Sequence, residues 1–102
     1  MGYKLRFVQR FMEEDRQEFL RLEREFARLE QEDAGFPQGR RYLPFTGREP
    51  PNTLLWECAF DKLEEAFAAL DFLNADPRHE ALYRLQSKLF LESYTEIYEE
   101  LL

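Results

Sequence analysis

His79 is the only histidine in the 102-residue chain, and so the only side chain whose unperturbed pKa lies near neutrality. It is the candidate catalytic general acid or base, or a ligand at a pocket mouth. The competing reading is a helix-surface histidine beside Glu80. Cys58, the single cysteine, alternates with Trp56 on a predicted strand and has no activating partner beside it in sequence. That context suits a small core hydrophobe better than a nucleophile. One cysteine also excludes an internal disulfide framework and a multi-cysteine metal site. No other ligand spacing stands out, so no metal is expected. Ser87 and Ser93 have no nucleophile-elbow context, which argues against a serine hydrolase. The four glycines, Gly2, Gly35, Gly39 and Gly47, build no phosphate-cradling loop, and no cofactor is expected.

Glu57 is a carboxylate inside an apolar strand. It is either a base of raised pKa or half of an ion pair, and Arg6 and Arg10 on the same kind of face make pairing the better reading. Arg6, Arg10 and Glu57 are therefore the expected interface residues. Trp56 and Tyr94 are the expected ligand contacts. The hydroxyls of Tyr3, Tyr42 and Tyr98 are further candidates to orient a phenolic molecule, against a default of aromatic core packing.

The elements that must position these residues follow from periodicity. Tyr3 to Phe11 alternates, with Tyr3, Leu5, Phe7, Gln9 and Phe11 on one face, which predicts a strand. Phe7 falls in the predicted core, so Phe7→Asp should unfold the chain. From Glu13 the period changes. Phe19, Leu22, Phe26 and Leu29 make a helical stripe, with Arg21–Glu25 and Arg28–Glu32 spaced to pair across one turn. Arg40 to Thr46 reads as a short strand, placed at a sheet edge by Pro44. Thr53 to Phe60 alternates again, with Leu54, Trp56, Cys58 and Phe60 facing one way. Asp61 with Glu64 fits a capping box, followed by a stripe of Leu63, Ala66, Phe67, Leu70 and Leu73. Asp76-Pro77 restarts a helix, aspartate as cap and proline at the first helical position, and Leu82, Leu85 and Leu89 continue its apolar face. The residues from Leu91 onward, with Tyr94, Thr95, Ile97 and Tyr98, predict a last strand.

The order β-α-β-β-α-β predicts an α+β, ferredoxin-like domain over residues 1–102, with an antiparallel sheet and both helices on one face. The opposite face would carry Val8, Leu43, Phe45 and Leu55 among Arg6, Arg10 and Glu57. A small domain rarely leaves such a mixed face bare, and a second copy of the chain is the expected cover.

The stretch Leu55-Trp56-Glu57, running through Phe60-Asp61-Lys62-Leu63-Glu64-Glu65-Ala66 to Leu70, Leu73 and Asp76-Pro77, resembles the second half of dimeric α+β-barrel proteins. These include the antibiotic-biosynthesis-monooxygenase-like and NIPSNAP-like families. The resemblance implies two ferredoxin-like subunits packed sheet to sheet. It spans activities from cofactor-independent oxygenases and haem-degrading enzymes to small-molecule isomerases, and many members have no assigned activity. In monooxygenase-like members a histidine commonly lies early in the helix that follows the tryptophan-acid strand. His79 stands in a related place, at longer spacing. In the NIPSNAP-like pattern an aromatic residue follows Asp-Pro closely, and there His79 would replace it.

Charge and length narrow the partners. The chain carries 14 basic and 21 acidic residues, a net charge of −7. Through Arg48 there are ten basic and nine acidic residues, and beyond it four and twelve. Arg40, Arg41 and Arg48 form the only basic cluster, too small a positive field for a nucleic-acid partner. The longest uncharged run, Pro50 to Trp56, is far short of the roughly 18 residues that span a membrane. The opening Met-Gly-Tyr-Lys-Leu-Arg lacks the apolar stretch of a signal peptide, so a cytoplasmic location and no membrane partner are expected. Two functions stay open: an uncharacterised homodimeric barrel that binds a small apolar or aromatic molecule, and a cofactor-independent monooxygenase or related small-molecule enzyme.

Overall fold

A computed structural model describes residues 2–102. The elements run β1 (Tyr3–Phe11), α1 (Arg16–Glu32), β2 (Arg40–Tyr42), β3 (Thr53–Phe60), α2 (Leu63–Ala75), α3 (Pro77–Gln86) and β4 (Phe90–Glu99), with a 3-10 turn before α1 and another before β4. The four strands form one antiparallel sheet in the order β2-β3-β1-β4. This is the expected ferredoxin-like α+β arrangement, with β2 at an edge. No helix among the described residues is long and apolar enough to cross a membrane.

β1 and β3 pair with Phe7 opposite Trp56 and Arg6 opposite Glu57. Strand side chains alternate between faces, so Leu5, Phe7, Gln9 and Phe11 meet the helices together with Leu54, Trp56 and Cys58. Two apolar clusters result. One joins Leu5, Trp56 and Cys58 to Ala69 of α2. The other joins Phe11 and Leu54 to Phe19 of α1. Between them the helix-facing surface carries Gln9, with Ser93 and Thr95 of β4 opposite Gln9 and Phe7. Polar side chains at these central positions leave the sheet and helices without an apolar filling there.

Several local expectations are corrected. β2 stops at Tyr42 because Pro44 has no N–H with which to continue the ladder. Leu43 and Phe45 consequently lie in the following loop, Phe45 fully exposed, and not on the open sheet face. That loop instead brings Glu49 to the open face, where it accepts a hydrogen bond from the Tyr94 hydroxyl at 3.1 Å. α2 is capped by Lys62, not Asp61, and the Glu65 carboxylate accepts from the Lys62 amide at 2.9 Å. Of the expected stripe, Ala66 and Leu73 are buried, together with Ala69, whereas Leu63 and Phe67 are exposed. On α1, Arg21 and Arg28 pair backward with Glu18 and Glu25, not forward with Glu25 and Glu32.

The Asp76-Pro77 corner forms as expected. The Asp76 carboxylate accepts from the amides of Arg78 (2.9 Å) and His79 (3.2 Å), satisfying donors that have no partner inside the helix. Arg78 reaches from this corner to Asp33 at the end of α1, 2.8 Å away, and lies over the Phe36 ring. The corner thus fixes the start of α3, and His79 with it.

Candidate functional site

A cavity of about 320 Å³ lies between the sheet and helices α1, α2 and α3, beside the Trp56 cluster. Phe7 and Trp56 wall its sheet side, stacked with ring centroids 4.8 Å apart. Phe26, His79 and Tyr83 wall its helix side. His79 is 5.0 Å from Phe26 and stacks toward Tyr83, one helical turn along α3, at 6.4 Å. Phe26, Trp56 and Leu73 are the buried apolar part of the lining, whereas Asn74, Glu80 and Tyr83 are exposed and mark the mouth.

The floor also holds a charged cluster that periodicity hid. Arg41 of β2 donates from Nε to Glu23 (2.6 Å) and from its two terminal nitrogens to Glu30 (3.1 and 2.5 Å). Glu30 accepts in addition from the Gly39 amide (3.0 Å) and from Trp56 Nε1 (3.2 Å). Glu23 accepts from the Gln86 amide at 2.9 Å. Burial disfavours the charged guanidinium of Arg41, but hydrogen bonds and charge from Glu30 and Glu23 outweigh it and raise its pKa. Arg41, one of the three arginines of the sequence cluster, is thus committed inside the chain. A signal for Glu23 and Glu30 existed, since both fall four residues after an aromatic of the α1 stripe, Phe19 and Phe26. Tyr83 also belongs to the wall and was not among the candidate tyrosines.

His79 is half-buried on the cavity wall, and neither ring nitrogen makes a hydrogen bond among the described residues. Burial lowers its pKa, against the opposing charges of Asp76, Glu80 and Glu30, which favours the neutral imidazole. A neutral ring with a free nitrogen can accept a proton or a hydrogen bond. Cys58 is buried, and burial pushes its thiol pKa up, the reverse of nucleophile activation. Among the described residues no group of three or more His, Cys, Asp or Glu is placed to hold a metal ion.

His79 and Trp56 therefore share one cavity, and Tyr94 does not join them. Its register partner is Val8, not Phe7, which puts it on the opposite face of the sheet. There it lines a second concavity with Arg6, Val8, Leu55 and Tyr98. Glu57 belongs to that open face as well. It accepts from Arg6 Nε at 2.8 Å and lies 3.5 Å from Lys4, while Arg6 also reaches Glu96 at 3.4 Å. Arg10 pairs with Glu92 (3.7 Å) and not with Glu57, because its register partner on β3 is Thr53.

Comparison with solved structures places this architecture among known ones. A NIPSNAP family protein from Agrobacterium tumefaciens superposes with a TM-score of 0.79 at 19% identity, over 98% of this chain and 86% of that one. An uncharacterised NIPSNAP domain protein from Burkholderia xenovorans gives 0.69 at 18%, over 99% and 95% of the two chains. A putative antibiotic biosynthesis monooxygenase from Nitrosomonas europaea gives 0.65 at 13%, over 98% and 90%. The fold is that of the NIPSNAP-like and monooxygenase-like proteins. No family model matches the sequence, and no curated protein matches it. At these identities the likeness establishes fold, and function rests on the site.

Proposed function

We propose that the chain acts in the cytoplasm as a homodimeric α+β-barrel protein that binds a small apolar or aromatic molecule between sheet and helices. The aromatic-walled cavity carries this reading. About 320 Å³ lies within the range of small-molecule sites, and its walls combine broad apolar surface with a few buried polar groups. The homodimer is supported by the open sheet face. Leu55, Tyr94 and Tyr98 are accompanied there by Lys4, Arg6 and Arg10, opposed by Glu57, Glu92 and Glu96. A patch with matched charges of both signs is compatible with its own copy across a two-fold axis.

Native mass spectrometry of the purified protein tests both parts. The expected species is twice the chain mass, with bound mass that disappears on denaturation. Leu55→Asp should convert it to a monomer, because the substitution places a charge at the centre of the proposed interface. A wild-type monomer at all dilutions removes the barrel.

The free nitrogen of His79 favours one second reading, a cofactor-independent monooxygenase. In that reading His79 takes the proton from a phenolic or quinol substrate held against Trp56. Oxygen consumption with a panel of such compounds should then fall in His79→Ala. Unchanged turnover in the variant excludes the acid-base role.

A further inference from the structure

We propose that the ligand of this cavity is an organic cation, an amine-bearing aromatic whose ammonium group docks on Glu23 and Gln86 at the floor. The proposal rests on the reading of the cavity as a binding site and adds the charge of what enters it.

The lining carries three carboxylates, Glu23, Glu30 and Glu80, against the guanidinium of Arg41, and Glu80 is itself paired with Arg84 at 2.9 Å outside the lining. Glu30 is saturated: each of its oxygens accepts two hydrogen bonds, from Gly39, Trp56 and the two ends of Arg41. Glu23 is not. Each of its oxygens accepts one, from Arg41 and from Gln86, although a carboxylate offers about four acceptor positions. Gln86 adds a further unused acceptor. It is 1% exposed, and its amide nitrogen is used on Glu23 and on the Phe19 carbonyl. Its side-chain carbonyl accepts from no group among the described residues, although Gln86 lines the cavity. Glu23 and Gln86, both buried, thus bring unused acceptor positions to one cavity lining. Arg41 retains two N–H groups, but its charge is already answered by two carboxylates, so an anionic ligand meets net repulsion there.

An ammonium group supplies three donors and the missing positive charge. The aromatic part of the same molecule would lie between Phe7–Trp56 and Phe26–His79, whose ring faces also attract a cation.

The test uses the wild-type protein and three probes of similar shape: 2-phenylethylammonium, 2-phenylethanol and 3-phenylpropionate. Trp56 is the only tryptophan and lies on the cavity wall, so selective excitation of its fluorescence reports occupancy. The ammonium is expected to bind about tenfold or more tightly than the alcohol, and the carboxylate weakest. Glu23→Gln, which leaves Arg41 paired with Glu30, should erase the preference. In the wild type, added salt should narrow it. Equal or tighter binding of the alcohol or the carboxylate overturns the cation assignment and leaves an aromatic-binding cavity standing. Silence of Trp56 toward all three overturns the cavity as a binding site altogether.

Discussion

Gly39 lies directly against the indole of Trp56: a Cβ on Gly39 would stand 2.0 Å from both Cε2 and Nε1. The contact explains why the chain leading into β2 passes so close to the cavity wall. Only hydrogen fits between them, and the Gly39 amide is thereby held on Glu30, the same carboxylate that receives Trp56 Nε1. Gly39→Ala must therefore displace a 4%-exposed indole. We expect a loss of about 1–3 kcal/mol, read as a lower urea midpoint with unchanged slope, together with an altered Trp56 emission maximum.

Glu30 joins α1 to β2 and β3 through one side chain. Glu30→Gln keeps its shape but removes the charge opposite Arg41 and replaces one acceptor oxygen with a donor. Arg41 retains Glu23, so the protein should fold, at a cost of about 2 kcal/mol. Equilibrium denaturation measures it. A double-mutant cycle with Arg41→Met should recover part of the cost, since the two residues share one network.

The pH dependence of stability should carry the signature of His79. Burial sets its folded-state pKa below the ordinary 6.5, so between those two values the unfolded chain binds the extra proton. The contribution is fully present above pH 6.5 and is lost as pH falls through the lower folded value. Thermal melts from pH 7.5 downward should show this slope, and His79→Phe should flatten it. Asp33 and Asp76 act in a separate, more acidic window. Hydrogen bonds from Arg78 hold both carboxyls below their ordinary 3.8, so their contribution fades only as pH drops below that value.

Much of this fold was legible in the residues. β1 and β3 begin and end where alternation does, and Asp76-Pro77 marked a helix start that the side-chain hydrogen bonds realise. The site was less legible for a geometric reason. Arg41, Glu30, Trp56 and Gln86 meet only because two strands and two helices converge, and no periodicity within one element reveals such a meeting. Tyr94 illustrates the same limit. Its type suited a ligand contact, but the β1–β4 register decides which face it occupies, and register is a property of the pair of strands. Gln9 was the available hint. A polar residue inside the Leu5-Phe7-Gln9-Phe11 row marks where close packing gives way to open space.

The partners in the floor cluster are 9 to 63 residues apart along the chain. Every one of these bonds closes a loop, and all of them need α1, β2, β3 and α3 docked at once. Contacts of that kind belong to the last stage of assembly, after the entropy of loop closure has been overcome. Their energy accordingly falls on the escape side of the barrier. Glu30 and Arg41 therefore act less on how fast the chain reaches its native state than on how long it stays there. Loss of about 2 kcal/mol at the cluster should shorten the native lifetime roughly 30-fold while refolding keeps its pace.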